Sequence, residues 1–482
     1  MIGRQDRRQQ EMFVPGNLEA LVPDDHILKR VDRVLDLSWL REEVAPCYCA
    51  DNGRPGIDPE AAVRLMLAGF FEGIVHDRKL MRQAQVNIAM RWFAGYNFED
   101  TLPHHSSLTR IRQRWGAERF RRIFTRTVEA CAAAGLVRGD TVHVDATLIR
   151  ADVSWESLSD DWAEATLREN HSDDDKEPPP AAGKKRAARP RKKKKKPKKR
   201  SSTDPDATLT TSKKGFLMEP SYKQHTAVDD AAGVIVDVAV TTGEASEGER
   251  LMQTIARVQE TTHSKVERVT ADGAYAHSAN YAACEEREID AVIPPQRAPR
   301  PKRPLPASRF KYDAKNKVVH CPAGQKLTRN SPAKKGCLFR GEARTCGRCR
   351  LRTSCISPSA KVRTIIIVHG YEALLRARRR RALWDEATVN WYKRHRWRVE
   401  GVHGEAKTQH GLRRAARRGL PNVAIQAYLT AAAINLKRLA ACFLPLRRLL
   451  NAAVGTFNVF SYPDRFLFKF SLANRCLIFA VA

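Results

Sequence analysis

The 482-residue chain carries 85 Lys and Arg against 54 Asp and Glu, a net charge of +31. A surplus of this size selects polyanionic partners, nucleic acid or an acidic membrane, and excludes nothing else by itself. No stretch of about 18 apolar residues is free of charge, and the start, Met1-Ile-Gly-Arg-Gln-Asp-Arg-Arg8, has no apolar run, so neither a membrane span nor a secretory leader is expected. Eleven cysteines, an odd number, argue for a reducing cytosol over a disulfide framework.

Residues 1–135 read as an all-helical domain. Pro59 to Phe71 has apolar residues at helical spacing, with Pro near its start and Asp58 placed to cap it. A second helix is expected from Asp77 to Phe93. A third, from Ser106 to Trp115, would be capped by Ser106 or Ser107, and its Arg110, Arg112 and Arg114 are candidates for contacts with DNA phosphates.

At Thr141-Val-His-Val-Asp145 the period changes from helical to alternating, which predicts a strand. Residues 155–215 interrupt the pattern as a charged insertion, and the run Gly183 to Arg200 is too basic to bury a core, so disorder is expected. His225–Asp229 and Gly233–Val240, joined by Asp-Asp-Ala-Ala-Gly, predict a hairpin. A helix from Glu249 to Thr261, a strand leading to Asp272, a helix from Ser278 to Arg287 and a strand at Asp290–Pro294 follow. This order describes an α/β domain over residues 136–440, an RNase H-like mixed sheet flanked by helices.

Residues 296–360 form a second insertion, rich in Pro, Lys and Cys. Val362 to Val368 predicts one more buried strand, Tyr371 to His410 a long basic helix stopped before Gly419-Leu-Pro421, and Val423 to Leu439 a last apolar helix. The apolar tail, 441–482, is interrupted by Arg447, Arg448, Asp464, Arg465, Lys469 and Arg475, so it reads as an appendage without an assigned role, not as a membrane span.

Three acids stand where such a fold would gather them. Asp145 and Asp272 end short apolar strands, and Glu400 lies on the basic helix. Two hard cations about 3.5–4 Å apart, held by carboxylates, can activate water and stabilise a departing 3′ oxygen, which makes Mg²⁺ or Mn²⁺ the expected cofactor. On the Glu400 helix, Arg396, His403 and Lys407 share its face, and Arg396 and Lys407 are candidate phosphate contacts. Asp152 and Glu405 compete for acidic roles, but Glu405 is turned about 140° from Glu400.

Other residues invite readings of their own. Cys321, Cys346, Cys349 and Cys355, in a C-x24-C-x2-C-x5-C arrangement, are candidate zinc ligands, with reduced free thiols as the alternative. Trp384, Trp391 and Trp397 at helical spacing are expected to pack in the core. His225 either approaches the acids or is structural.

Arg396-x3-Glu400-x6-Lys407 resembles the C-terminal signature Tyr-x2-Arg-x3-Glu-x6-Lys of DDE transposases of bacterial insertion sequences. Position 393, where that signature has tyrosine, is Lys393, with Tyr392 beside it. Asp145-Ala-Thr147 is similar to the family's Asp-Gly-Thr, and Ala271-Asp-Gly-Ala-Tyr275 to its Ala-Asp-x-x-Tyr. His104-His-Ser-Ser-Leu-Thr-Arg110 and Asp204-Pro-Asp206 also resemble family segments.

The resemblance implies an RNase H-like catalytic domain with Asp145, Asp272 and Glu400 as metal ligands. It also implies binding to the element's terminal inverted repeats, cleavage of its 3′ ends and joining to target DNA. A homodimer or higher multimer on DNA, in the cytoplasm and associated with the nucleoid, is the expected setting. The alternatives are a nuclease of the same fold without strand transfer, and a DNA-binding descendant whose catalytic site has decayed.

Overall fold

β1, Thr141–Arg150, has Val142 and Val144 fully buried along with the polar His143 between them, so both of its faces are covered. Such a strand belongs at the centre of a sheet. The computed structural model, which describes residues 17–49, 56–154, 157–160, 199–210, 218–296, 305–333 and 336–457, places it there. β2 (Leu158–Asp160), β3 (Lys199–Ser201), β4 (Thr208–Thr210), β5 (Glu219–Asp229), β6 (Ile235–Thr242), β7 (Arg268–Ala271) and β8 (Asp290–Val292) complete an eight-stranded sheet. Its order is β2-β3-β4-β5-β1-β7-β8, with β6 also paired to β5.

The sheet is mixed: β1 runs antiparallel to β5 and parallel to β7, and β7 runs parallel to β8. Helix Leu251–Thr262 packs on β6, and helix Glu386–His395 packs on β7 and β8. This is the α/β, RNase H-like class expected, and Gly233 (φ 70°) closes the β5–β6 hairpin where turn residues predicted it.

Several expectations are corrected. The first insertion, 155–215, is not wholly irregular, because β2, β3 and β4 lie inside it and extend the sheet. Asp204 and Asp206 fix this edge: Asp204 accepts from the Tyr222 hydroxyl and from Gly419 N, and Asp206 accepts from Leu420 N at 3.0 Å. Most of the polybasic run, up to residue 198, lies outside the described residues.

The second insertion reaches further than residue 360. Its strands β9 (Lys311–Asp313), β10 (Val318–His320), β11 (Lys326–Ala333) and β12 (Gly336–Arg340) pair in sequence with β13 (Thr364–Val368). The apolar segment at 362–368 is thus the last strand of a separate antiparallel sheet. That sheet has its own core of Phe310, Val319, Leu327, Phe339, Ile356, Ile365 and Ile367.

The chain divides into two compact units, Ala132–Glu405 with Arg418–Leu420, and a helical unit made of Met1–Cys131, Ala406–Arg417 and Pro421–Ala482. In the helical unit Pro59–Phe71 forms as expected, the Asp58 carboxylate accepting from Glu60 N and Ala61 N. The 77–93 segment is two helices, Asp77–Val86 and Ile88–Phe93, because the Asn87 side chain caps the second by accepting from Met90 N. The next helix, His105–Ala133, kinks at Gly116 (φ 70°), and the His104 ring, not Ser106 or Ser107, takes the capping amide. The final helix is Leu420–Phe457, longer than predicted at both ends. Residues 458–482 of the tail lie outside the described residues. No helix among the described residues is long and apolar enough to cross a membrane.

Arg112 is not a phosphate contact. It is buried and donates to Asp77 Oδ2 at 2.8 Å, whereas Arg110 and Arg114 on the same helix are exposed. The tryptophans are not core residues either. Trp397 is exposed beside Arg398, Trp384 lies under Arg381, and Trp391 lies between Arg268 and Arg394.

Candidate active site

Val144 pairs with Ala271 across the parallel β1–β7 ladder, so Asp145 and Asp272 occupy the next position of two adjacent strands. The ladder ends there. Asp272 instead turns its Oδ1 to accept from Ala274 N at 2.8 Å, opening the short turn Gly273–Tyr275.

The Asp145 carboxylate is largely buried. Burial and the charges of Asp272, Glu247 and Glu400 push it up to about 7. Burial and Glu247 likewise raise Asp272. Like charges held this close repel one another, which favours the protonated form of each.

Sequence reasoning missed Glu247. Among the described residues, the metal-capable group whose ligand atoms all lie within 4.8 Å of one another is Asp145, Glu247 and Asp272. The available signal was the cluster Gly243-Glu-Ala-Ser-Glu-Gly-Glu249 between the hairpin and the next helix. Acids before a helix read first as favourable first-turn charges, which hides a ligand among them.

Glu400 stands outside that group. It is exposed and accepts from Arg396 Nε at 3.1 Å. The expected single helix from 371 to 410 is four segments, Tyr371–Ala382, Glu386–His395, a π-helical turn Arg396–Glu400, and Gly401–Thr408. The π turn packs against β1 and β5.

A π turn spans i→i+5 and takes up one residue more than an α turn. Tyr392 and Glu400 are eight residues apart, one more than the signature's spacing, and the π turn accommodates the surplus. Tyr392 stacks on His395 at 6.1 Å, and its hydroxyl is raised by burial and by Asp272, Asp145 and Glu400.

A buried polar chain ties this helix to the sheet. His395 Nδ1 lies 3.1 Å from Thr270 Oγ1, which lies 2.5 Å from His143 Nδ1, and His143 Nε2 lies 2.9 Å from Asp230 Oδ1. Thr270 is two residues before Asp272, so the Glu400 helix is anchored next to the second acid. His403 is buried, with Nε2 at 3.1 Å from Thr226 Oγ1 and Nδ1 at 3.8 Å from Asp145 Oδ2.

His225 is structural by its contacts. Its Nε2 lies 2.9 Å from Thr241 Oγ1, and it pairs in register with Ala146, which puts it on the face opposite Asp145. Lys407 lies on Gly401–Thr408. Glu405 is half-buried on the same helix, and the Asp152 carbonyl accepts from Arg418 Nε at 3.3 Å.

Beside the second sheet, Cys321, Cys346, Cys349 and Cys355 line one cavity of about 40 Å³. Cys321 Sγ accepts from Gln325 N at 3.3 Å and Cys349 Sγ from Leu351 N at 3.4 Å. These four sulfurs do not close into a group with the spacing of the three carboxylates.

Residues 16–114 match the family described as Transposase domain (DUF772), and residues 320–440 match the family described as Transposase DDE domain. The second match contains Glu400 but neither Asp145 nor Asp272. No curated protein matches. Among solved structures, a cryo-EM structure of the piggyBac transposase synaptic complex with hairpin DNA is similar over 86% of this chain and 74% of that one. The identity is 10% and the TM-score 0.32.

Proposed function

We propose that this chain, a DDE-type transposase, binds the terminal inverted repeats of its element, cleaves the 3′ ends by hydrolysis and joins the freed 3′-OH to target DNA. The observation that supports the reading is that the Asp145 and Asp272 carboxylates come within 4.8 Å of one another, each one residue past the Val144–Ala271 pair, with the Glu400 helix anchored beside them. The DDE domain implies use of a divalent metal ion. The donor set, carboxylate oxygens gathered within 4.8 Å, fits a hard cation such as Mg²⁺ or Mn²⁺. Asp145 and Asp272 would hold it, while Glu400, outside that group in the free chain, would join as a further ligand or position a second ion once DNA is bound. When bound, the ion polarises the attacking water and the leaving oxygen.

The chain's own groups supply the rest. The π turn and the Thr270–His395 link fix where Glu400 can stand. His403, tied to Thr226, holds a ring nitrogen 3.8 Å from Asp145 Oδ2. Arg396, Lys407, Arg110 and Arg114 are the candidates for DNA phosphates, consistent with the +31 charge. Joining two element ends requires two sites at once, so a homodimer or higher multimer assembles on DNA, in the bacterial cytoplasm and at the nucleoid.

The discriminating assay supplies a pre-cut element end with a 3′-OH, a supercoiled plasmid and Mg²⁺. Joined product is expected. Cleavage of uncut ends without joining would leave a nuclease of the same fold, and binding without either would leave a decayed descendant.

The four cysteines give a separate expectation. Purified from zinc-replete medium, the chain should carry one zinc per molecule by elemental analysis, and Cys349→Ser should remove it. A zinc-free parent chain would make these four residues reduced thiols packed in a small core.

A further inference from the structure

Glu247 is placed with more care than a surface acid needs. Lys223 Nζ pairs with it at 3.0 Å and also donates to Ala245 O at 2.8 Å, gripping the loop on both sides. Asn280 Nδ2 donates to Gly248 O at 2.8 Å and to Tyr275 O at 3.0 Å, so one amide staples this loop to the turn that follows Asp272. Gly248 permits the approach, because a Cβ there would stand 2.7 Å from the His277 ring.

A second observation points the same way. The Tyr275 hydroxyl is buried, with the residue only 1% exposed, and has no hydrogen-bond partner among the described residues. The charges it faces are those of Asp145, Glu247 and Asp272. A buried hydroxyl facing three gathered carboxylates is placed to bond a water carried by a cation that they hold.

We propose that Glu247, with Asp145 and Asp272, ligates the cation that loads in the absence of DNA, and that Glu400, paired with Arg396, is not a ligand of that ion. The inference rests on the metal-site reading above and adds a carboxylate to it. Lys223 then has a definite part: it offsets one of three negative charges, so the free site is less anionic than its acids alone would make it. Glu400 is left for the position that forms when phosphate displaces its Arg396 partner.

Mn²⁺ titration of the full chain without DNA, read by calorimetry and by the spectrum of free Mn²⁺, tests this independently of catalysis. Glu247→Gln and Asp145→Asn should each weaken Mn²⁺ binding by about tenfold or more, while Glu400→Gln should stay within about twofold of the parent. Lys223→Met removes the same ion pair but keeps the carboxylate, and should retain or strengthen binding. If Asp145→Asn loses Mn²⁺ and Glu247→Gln does not, Glu247 is no ligand and the reading of the other acids stands. If neither loses it, the metal-site reading falls and takes this inference with it. An equal loss in Lys223→Met and Glu247→Gln, with matching drops in melting temperature, would make Glu247 a scaffold residue and overturn the assignment.

Discussion

Asp272→Asn is expected to lower element-end cleavage by about three orders of magnitude, roughly 4 kcal/mol of transition-state stabilisation. Asparagine keeps the side-chain oxygen that accepts from Ala274 N, so the turn after β7 should survive and end-DNA binding with it. What disappears is a full negative charge at a position shared with Asp145. Asp145→Asn should lose cleavage equally, yet in chelator it should be the more stable protein. The Asp145 carboxyl sits at about 7 when folded, above its ordinary value, so the parent loses stability as pH rises from near 4 to near 7, and asparagine removes that loss. Gel assays of cleavage and denaturant melts at pH 5 and pH 8 check both halves. Parental cleavage by Asp272→Asn would sink the catalytic assignment.

Asp77→Ala should cost about 3–5 kcal/mol of stability without touching the catalytic acids. Asp77 Oδ2 accepts from Thr109 Oγ1 at 3.0 Å, Arg112 Nη1 at 2.8 Å and Arg417 Nη2 at 2.6 Å, and Asp77 and Arg112 are both buried. Removing the acid strands the Arg112 guanidinium away from water and leaves the half-buried Arg417 without this partner. Burial alone would raise the Asp77 carboxyl, but Arg112 and Arg417 hold it below its ordinary value. Its contribution is therefore present above about pH 4 and lost as pH falls below that. Arg112→Ala should melt like Asp77→Ala, whereas Arg110→Ala should melt like the parent and weaken DNA binding. If Arg112→Ala melts like the parent, the buried pair is not what holds these helices.

The contrast between these arginines shows where sequence reading stopped. Residues two apart on a helix point about 200° from each other, so Arg112 faces away from Arg110 and Arg114. The periodicity already separated them, but only the tertiary partner Asp77 reveals that the Arg112 side is inward. Local rules did well where the cause was local. Asp58 caps Pro59–Phe71, the Asp-Asp-Ala-Ala-Gly turn closes the β5–β6 hairpin, and alternation finds β1.

Long-range pairing was not legible. β13 looks like any buried apolar strand until β12 is seen beside it, and Glu247 looks like a first-turn acid until the Asn280 staple is seen. The tryptophans at seven and six residues apart fit a core stripe, yet each has an arginine against its ring and Trp397 is exposed. Charge density on this helix outweighed periodicity.

β2 and β3 carry a consequence for how this chain can change. Asp160, on the edge strand of the sheet, and Lys199 are cross-strand partners, so these two positions stand side by side. Whatever connects them already has its ends together, and doubling its length would cost only about 0.6 kcal/mol in closure entropy. Length there is close to a free variable, both for evolutionary drift and for a laboratory wishing to splice in a reporter, while the strands that carry Asp145 and Asp272 keep their register.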